Sequence, residues 1–141
     1  MVPERGEGAR PPATELTPVE PGGRQFIESY GPGRFRISGR LHEGSVLILP
    51  ERTNPWPVAD MAGVTLGGLA AVTGAEPPAD ILLLGCGVRM RPVAADLRAA
   101  LRAAGIALEP MDTGAAARTY NLLVAEDRRV AAALIALPGG N

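Results

Sequence analysis

Lysine is missing from all 141 residues, so the 14 basic side chains are all arginine. That excludes a Schiff-base lysine and the lysine of a phosphate-binding P-loop. One cysteine, Cys86, and one histidine, His42, leave no intrachain disulfide and no donor set for a transition metal. Aromatics make up only 4% of the residues, so alanine, leucine and valine must fill the core. The formal charge of -1 gives no overall field toward nucleic acid or an anionic membrane. Apolar runs are short, and even "MAGVTLGGLAAVTGA" is broken by glycines, so no membrane span is expected. The opening "MVPERGEGAR" lacks the apolar run of a secretory signal, and a soluble, reducing, cytoplasmic setting is expected.

What is present reads as one α/β domain. Residues 1–23 are polar and rich in proline and glycine, and are expected to be a disordered tail that folding does not need. Residues 24–141 form the expected domain. Around Gly31-Pro32-Gly33, alternating residues predict a hairpin, followed by "SVLILP", a strand buried on both faces. "ERTNPWPVAD" reads as a loop that contains the only tryptophan, and a short helix is expected over 65–72. "ADILLLG" is a central strand that ends at Gly85-Cys86-Gly87. "RPVAADLRAALRAAG" predicts a helix with Pro92 in its first turn and Gly105 as its stop. "IALEPM" is the next strand, Asp112 or Thr113 caps a helix to about Ala125, and "VAAALIAL" closes the chain as a strand. Strand, helix, strand, helix, strand with short connections favours a layered sheet with right-handed crossovers.

Gly85-Cys86-Gly87 falls at the carboxyl end of a strand, where open α/β sheets bind ligands. It also fits a tight strand exit in which small residues pack closely, and Met90 stands where a dinucleotide fingerprint needs glycine. A Cys86–His42 pair has nothing in the sequence to join it, and Ser29, Ser38 and Ser45 lack a triad context. Glu109, Asp112, Glu126 and Asp127 flank the last helix as a candidate acid and base set, or as a cap and an exposed turn. Arg91, Arg98 and Arg102 form a stripe that reads as a solvated face. Trp56, between two prolines, is either a loop anchor or an exposed contact for a partner. On the last helix, Arg118 and Asn121 border the buried stripe. Asn121 is expected to be mainly structural, and Arg118 to sit near the glycine loop and face a ligand or partner.

The runs "GSVLILP", "NPWPV", "ILLLGCG" and "GIALEPMDTGAAARTYNLLVAEDRRVAAALI" resemble the family that includes mitochondrial complex I assembly factor three and the adipogenesis-associated Mth-type domain proteins. The resemblance spans Phe26 to Leu137 and rests on Met111-Asp112-Thr113, Ala116, Arg118-Thr119-Tyr120-Asn121, Glu126 and Arg128. Cys86 departs from it where a small hydroxyl residue is common, and Asp127 where glycine is common. The resemblance implies a single three-layer α/β domain with a mixed central β-sheet flanked by helices, plus a small accessory sheet or hairpin. It also implies a non-enzymatic protein-interaction or assembly role in a bacterium, supporting biogenesis of a respiratory membrane complex. No enzymatic activity is established for the family. The expected partner is a protein, an assembly intermediate of that complex, with no cofactor, metal or nucleic acid. The ligand or partner candidates are Trp56, Gly85, Cys86, Gly87, Asp112, Thr113, Arg118, Asn121, Glu126 and Arg128. The alternative is a small-molecule-binding or enzymatic domain with a crevice between Gly85–Val88 and Met111–Arg118.

Overall fold

The computed structural model describes residues 13–16 and 24–139. Its first sheet is small and antiparallel, in the order β1 (Thr14–Glu15), β2 (Ile27–Gly31), β3 (Arg34–Ile37), β4 (Arg40–Glu43). The β2–β3 hairpin is the one expected, and its turn needs Gly33 at φ +70°. The β3–β4 hairpin was not foreseen. Ser38 and Gly39 both adopt positive φ, 46° and 83°, as a tight two-residue hairpin turn requires. His42 therefore lies on a strand opposite Phe35, not in a turn. Strand β1 falls within the segment expected to be a tail, with Thr14 paired to Tyr30; residues 1–12 and 17–23 of that segment lie outside the described residues.

The second sheet is mixed, in the order β6 (Thr53–Pro55), β5 (Val46–Ile48), β9 (Val130–Leu134), β7 (Ile81–Gly85), β8 (Ala107–Met111). Strand β7 runs parallel to both β8 and β9, whereas β5 is antiparallel to β9 and β6. Strand β6 corrects the loop reading of that stretch. Alternation places Leu47, Leu82, Leu84, Ala131 and Ala133 in one core, and Val46, Ile48, Leu83, Ala132 and Leu134 in the other. The first core is covered by α1 (Ala70–Thr73), α2 (Ala95–Ala103) and the 56–69 segment; the second by α3 (Thr113–Ala125) and the small sheet. The result is a single α/β domain with a mixed central sheet.

Local chemistry explains where the helices differ from expectation. Gly67 and Gly68 sit in a 3-10 turn, so only Ala70–Thr73 closes as α-helix. Helix α2 starts three residues after Pro92 because Ala94, at ψ 137°, is still extended. Gly105, at φ +84°, ends it as expected. Arg98 is not simply solvated, since its Nη1 donates to the carbonyl of Leu108 at 2.8 Å on edge strand β8. Asp112 is the N-cap of α3, accepting from the Ala115 N–H at 2.8 Å. At the other end Asp127 takes φ +62°, while its N–H and that of Arg128 bond the Val124 and Leu123 carbonyls. That double closure is the Schellman pattern, with aspartate in the position that glycine favours.

Trp56 is 3% exposed and belongs to the first core, so of its two readings the loop anchor agrees with the structure and the exposed partner contact is corrected. Its Nε1 has no hydrogen-bond partner among the described residues. As the sole tryptophan, it should emit at short wavelength in the folded protein and resist quenching by iodide. Unfolding should shift the emission to the red; a native spectrum already like that of free tryptophan would contradict the packing described.

Candidate functional site

The residues at the carboxyl end of β7 are tied into a knot around Thr113. The Gly87 N–H donates to Thr113 Oγ1 at 2.9 Å, and Oγ1 donates in turn to the Ile135 carbonyl at 2.7 Å. Backbone bonds close the rest: Thr113 N–H to the Gly87 carbonyl, Cys86 N–H to Met111, and Ile135 N–H to Gly85. Thr113 is fully buried. A methyl at Gly85 would lie 3.0 Å from Leu134 Cδ2 and from the Cα and Oγ1 of Thr113, so glycine there permits close packing. Gly87, at φ +100°, makes the turn. The base of the expected crevice is thus filled by Thr113, and these polar groups bond one another.

Cys86 is 7% exposed, with Sγ 3.6 Å from the Leu84 carbonyl and 3.8 Å from that of Arg91. His42 is on the other sheet, and burial, followed by the charge of Arg40, lowers its imidazole pKa. The two do not form a nucleophile and base pair. The carboxylates are also dispersed: Asp112 starts α3, while Glu126 and Asp127 end it, about 20 Å away for a 13-residue helix. Asp127 pairs with Arg24 at 2.6 Å, and Glu109 is exposed on β8. Glu126 and Arg128 are exposed at the same far end, where the Arg128 carbonyl accepts from Arg24 Nη1 at 2.7 Å. Among the described residues no cluster of histidine, cysteine, aspartate and glutamate could hold a metal ion.

The polar run on α3 mostly faces inward. Asn121 reads both backbone groups of Ile27, accepting from its N–H at 3.0 Å and donating to its carbonyl at 2.7 Å, much as a neighbouring strand would. Tyr120, completely buried, donates its hydroxyl to the Gln25 carbonyl at 2.9 Å. Burial holds its phenol far above the usual range, opposed by the charge of Arg24. Arg118 is exposed, and its Nη1 donates to the hydroxyl of Tyr30 at 3.0 Å. That corrects its expected contact: Arg118 meets β2 of the small sheet, and Thr113 is the residue that meets the glycine loop. Gly114 makes the Tyr30 contact fit, because a Cβ there would lie 2.8 Å from the phenol oxygen. Tyr30 was missed in the sequence, where only its alternation within a strand was legible.

Fold and site together define a small α/β domain whose central strand end is bonded around a buried threonine and whose last helix presents one arginine beside a tyrosine. The chain belongs to the family described as "Protein of unknown function (DUF498/DUF598)", whose profile matches residues 27–135. It is 42% identical to an uncharacterised protein of Rhodobacter capsulatus, over 88% of this chain and 96% of that one. It is 36% identical to NADH dehydrogenase [ubiquinone] 1 alpha subcomplex assembly factor 3 of Danio rerio, over 82% of this chain and 66% of that protein. The human protein of the same name is 34% identical, over 82% of this chain and 62% of its own length. The chain thus spans less than two thirds of either assembly factor. Among solved structures, an outer membrane protein of Bartonella henselae superposes with a TM-score of 0.76 at 36% identity, covering 82% of this chain and 97% of that one. A Mth938-like domain of Bordetella pertussis gives 0.75 at 27% identity, covering 90% and 95%.

The knot can be tested by keeping its shape and removing its hydroxyl. Thr113→Val should orphan the Gly87 N–H and the Ile135 carbonyl, at about 1 to 3 kcal/mol for each buried group. Thr113→Ser should recover much of that loss in urea unfolding. Equal stability of the valine variant and the parent would show that the hydroxyl does not hold the three segments. Native Cys86 should react slowly with a thiol probe and faster on unfolding; rapid native labelling would contradict its burial.

Proposed function

We propose that this chain is a non-enzymatic interaction and assembly domain that works in the cytoplasm through a protein partner and supports biogenesis of a respiratory membrane complex. The observation that carries the reading is the contrast along α3. Thr113, Tyr120 and Asn121 direct their polar groups to internal partners, whereas Arg118 is exposed beside the neutral Tyr30 hydroxyl. A guanidinium has five donors in a planar fork, and an exposed one bonded, among the described residues, to a tyrosine hydroxyl suits a carboxylate from another protein. The names of the zebrafish and human relatives support an assembly role. Among the described residues no helix is long and apolar enough to cross a membrane. The catalytic alternative has less support because Thr113 fills the base of its crevice and the carboxylates do not converge.

Two variants separate the roles on α3. Asn121→Ala should lower the melting temperature clearly, since it strands the Ile27 N–H and carbonyl. Arg118→Ala should leave melting nearly unchanged and reduce recovery of subunits of the respiratory complex with the tagged chain in its native host. Complex subunits recovered equally with Arg118→Ala, or a large stability loss in that variant, would refute the proposed role of Arg118.

A further inference from the structure

Strand β4 is an outer strand of the small sheet and pairs on one side only, with β3. The Gly44 N–H bonds the Gly33 carbonyl at 2.9 Å, and that bond fixes the phase of the ladder. Bonded pairs alternate along antiparallel strands, so His42 bonds Phe35 and Arg40 bonds Ile37. The N–H and carbonyl groups of Leu41 and Glu43 therefore point away from β3, and none of them is bonded among the described residues. The other outer strands are less open: β1 has two residues, and β6 and β8 each contain a proline. Strand β4 has neither limit, and no irregularity breaks its register with β3.

The side chains along this edge are also uncommitted. Leu41 and Glu43 share a face with Arg36 and Arg34, while Arg40 and His42 share the opposite one with Ile37 and Phe35. Leu41 is 42% exposed. Arg34 turns from Glu43 toward β2, since a Cβ on Gly31 would lie 2.9 to 3.2 Å from its guanidinium, and its Nη1 donates to the Pro32 carbonyl at 3.3 Å. Glu43 and Arg40 are exposed and enter no ion pair among the described residues. A second copy of the chain does not satisfy these charges. In a twofold antiparallel pairing the outward residues Leu41 and Glu43 meet each other or themselves, and Arg40, on the other face, never meets Glu43.

We infer that β4 accepts an antiparallel strand from a different protein, with a basic residue opposite Glu43, an apolar residue opposite Leu41 and an acidic residue opposite Arg40. In its own direction that strand reads basic, any residue, apolar, acidic. The outward backbone groups bind it, and the three side chains select it. The inference rests on the interaction-domain reading and names what a partner offers, two strands away from the contact between Arg118 and Tyr30.

The test begins with amide exchange in the free full chain: Leu41 and Glu43 should exchange fast, and Arg40 and His42 slowly. A capped hexapeptide with Lys-Thr-Val-Glu at its centre is then titrated, and binding is read from amide shifts, which should centre on residues 40–43. N-methylation of the peptide's valine, whose N–H would bond the Leu41 carbonyl, should weaken binding about tenfold, whereas N-methylation of its threonine should not. Glu43→Arg should weaken the parent peptide about fivefold and favour one with Glu-Thr-Val-Glu instead. Leu41→Pro should fold, because that N–H makes no ladder bond, and should lose the peptide. Arg118→Ala should bind it normally. The inference is overturned if Leu41 and Glu43 are already protected in the free chain, or become so as the chain is concentrated, which would mark a second copy. It is equally overturned if no peptide binds, if the N-methylvaline peptide binds as well, or if Glu43→Arg does not change the preference. In native-host purification, complex subunits recovered as fully by folded Leu41→Pro as by the parent would remove the edge and leave the assembly reading standing. The expected peptide behaviour, with no complex subunit recovered by the parent chain, would do the reverse.

Discussion

A single hydroxyl holds the centre of this domain. Thr113 stands where α3 begins, and its Oγ1 joins the loop after β7 to the exit of β9 while the helix is anchored between them. The three segments meet in a space that excludes water, so each group must find its partner there or bear the full penalty of burial. The position of α3 against the sheet follows from this contact and from the Asn121 bonds to Ile27, one near each end of the buried stripe. With both ends fixed, Ala116, Ala117 and Tyr120 pack on Leu83, Ala132 and Leu134 without shifting in register.

The central framework was legible because its elements state their own limits. Strand β7 is an uninterrupted apolar run that stops at glycine; α3 starts with a capping aspartate and ends at a left-handed aspartate. The elements that escaped are those whose existence depends on a neighbour. Strand β4, Arg40-Leu41-His42-Glu43, has no apolar alternation of its own and is formed by pairing with β3. Strand β6 contains a proline and is three residues long, so only the adjacent β5 defines it. The start of α2 was placed too early because a proline suited to a first turn can equally lie in the preceding extended loop.

The candidate residues divide in the same way. Gly85, Cys86, Gly87, Asp112 and Thr113 are neighbours around one strand end, as their positions near predicted element boundaries suggested, but they fill the space they enclose. Trp56 belongs to the first core, and Glu126 and Arg128 lie at the far end of α3. Spacing on the helix revealed that Arg118 and Asn121 border the buried face. It could not reveal that Tyr30, 88 positions earlier, lies under Arg118, since that contact exists only once the small sheet has docked.

Both outer strands of the central sheet carry a proline, Pro55 on β6 and Pro110 on β8, and the Leu108 carbonyl on β8 is already occupied by Arg98. A proline offers no N–H, and a carbonyl bonded by guanidinium is a poor template for another chain. The sheet therefore resists growth by end-to-end stacking. That resistance works like a sealed seam. Two copies meeting at an outer strand of this sheet find its backbone positions already blocked or taken.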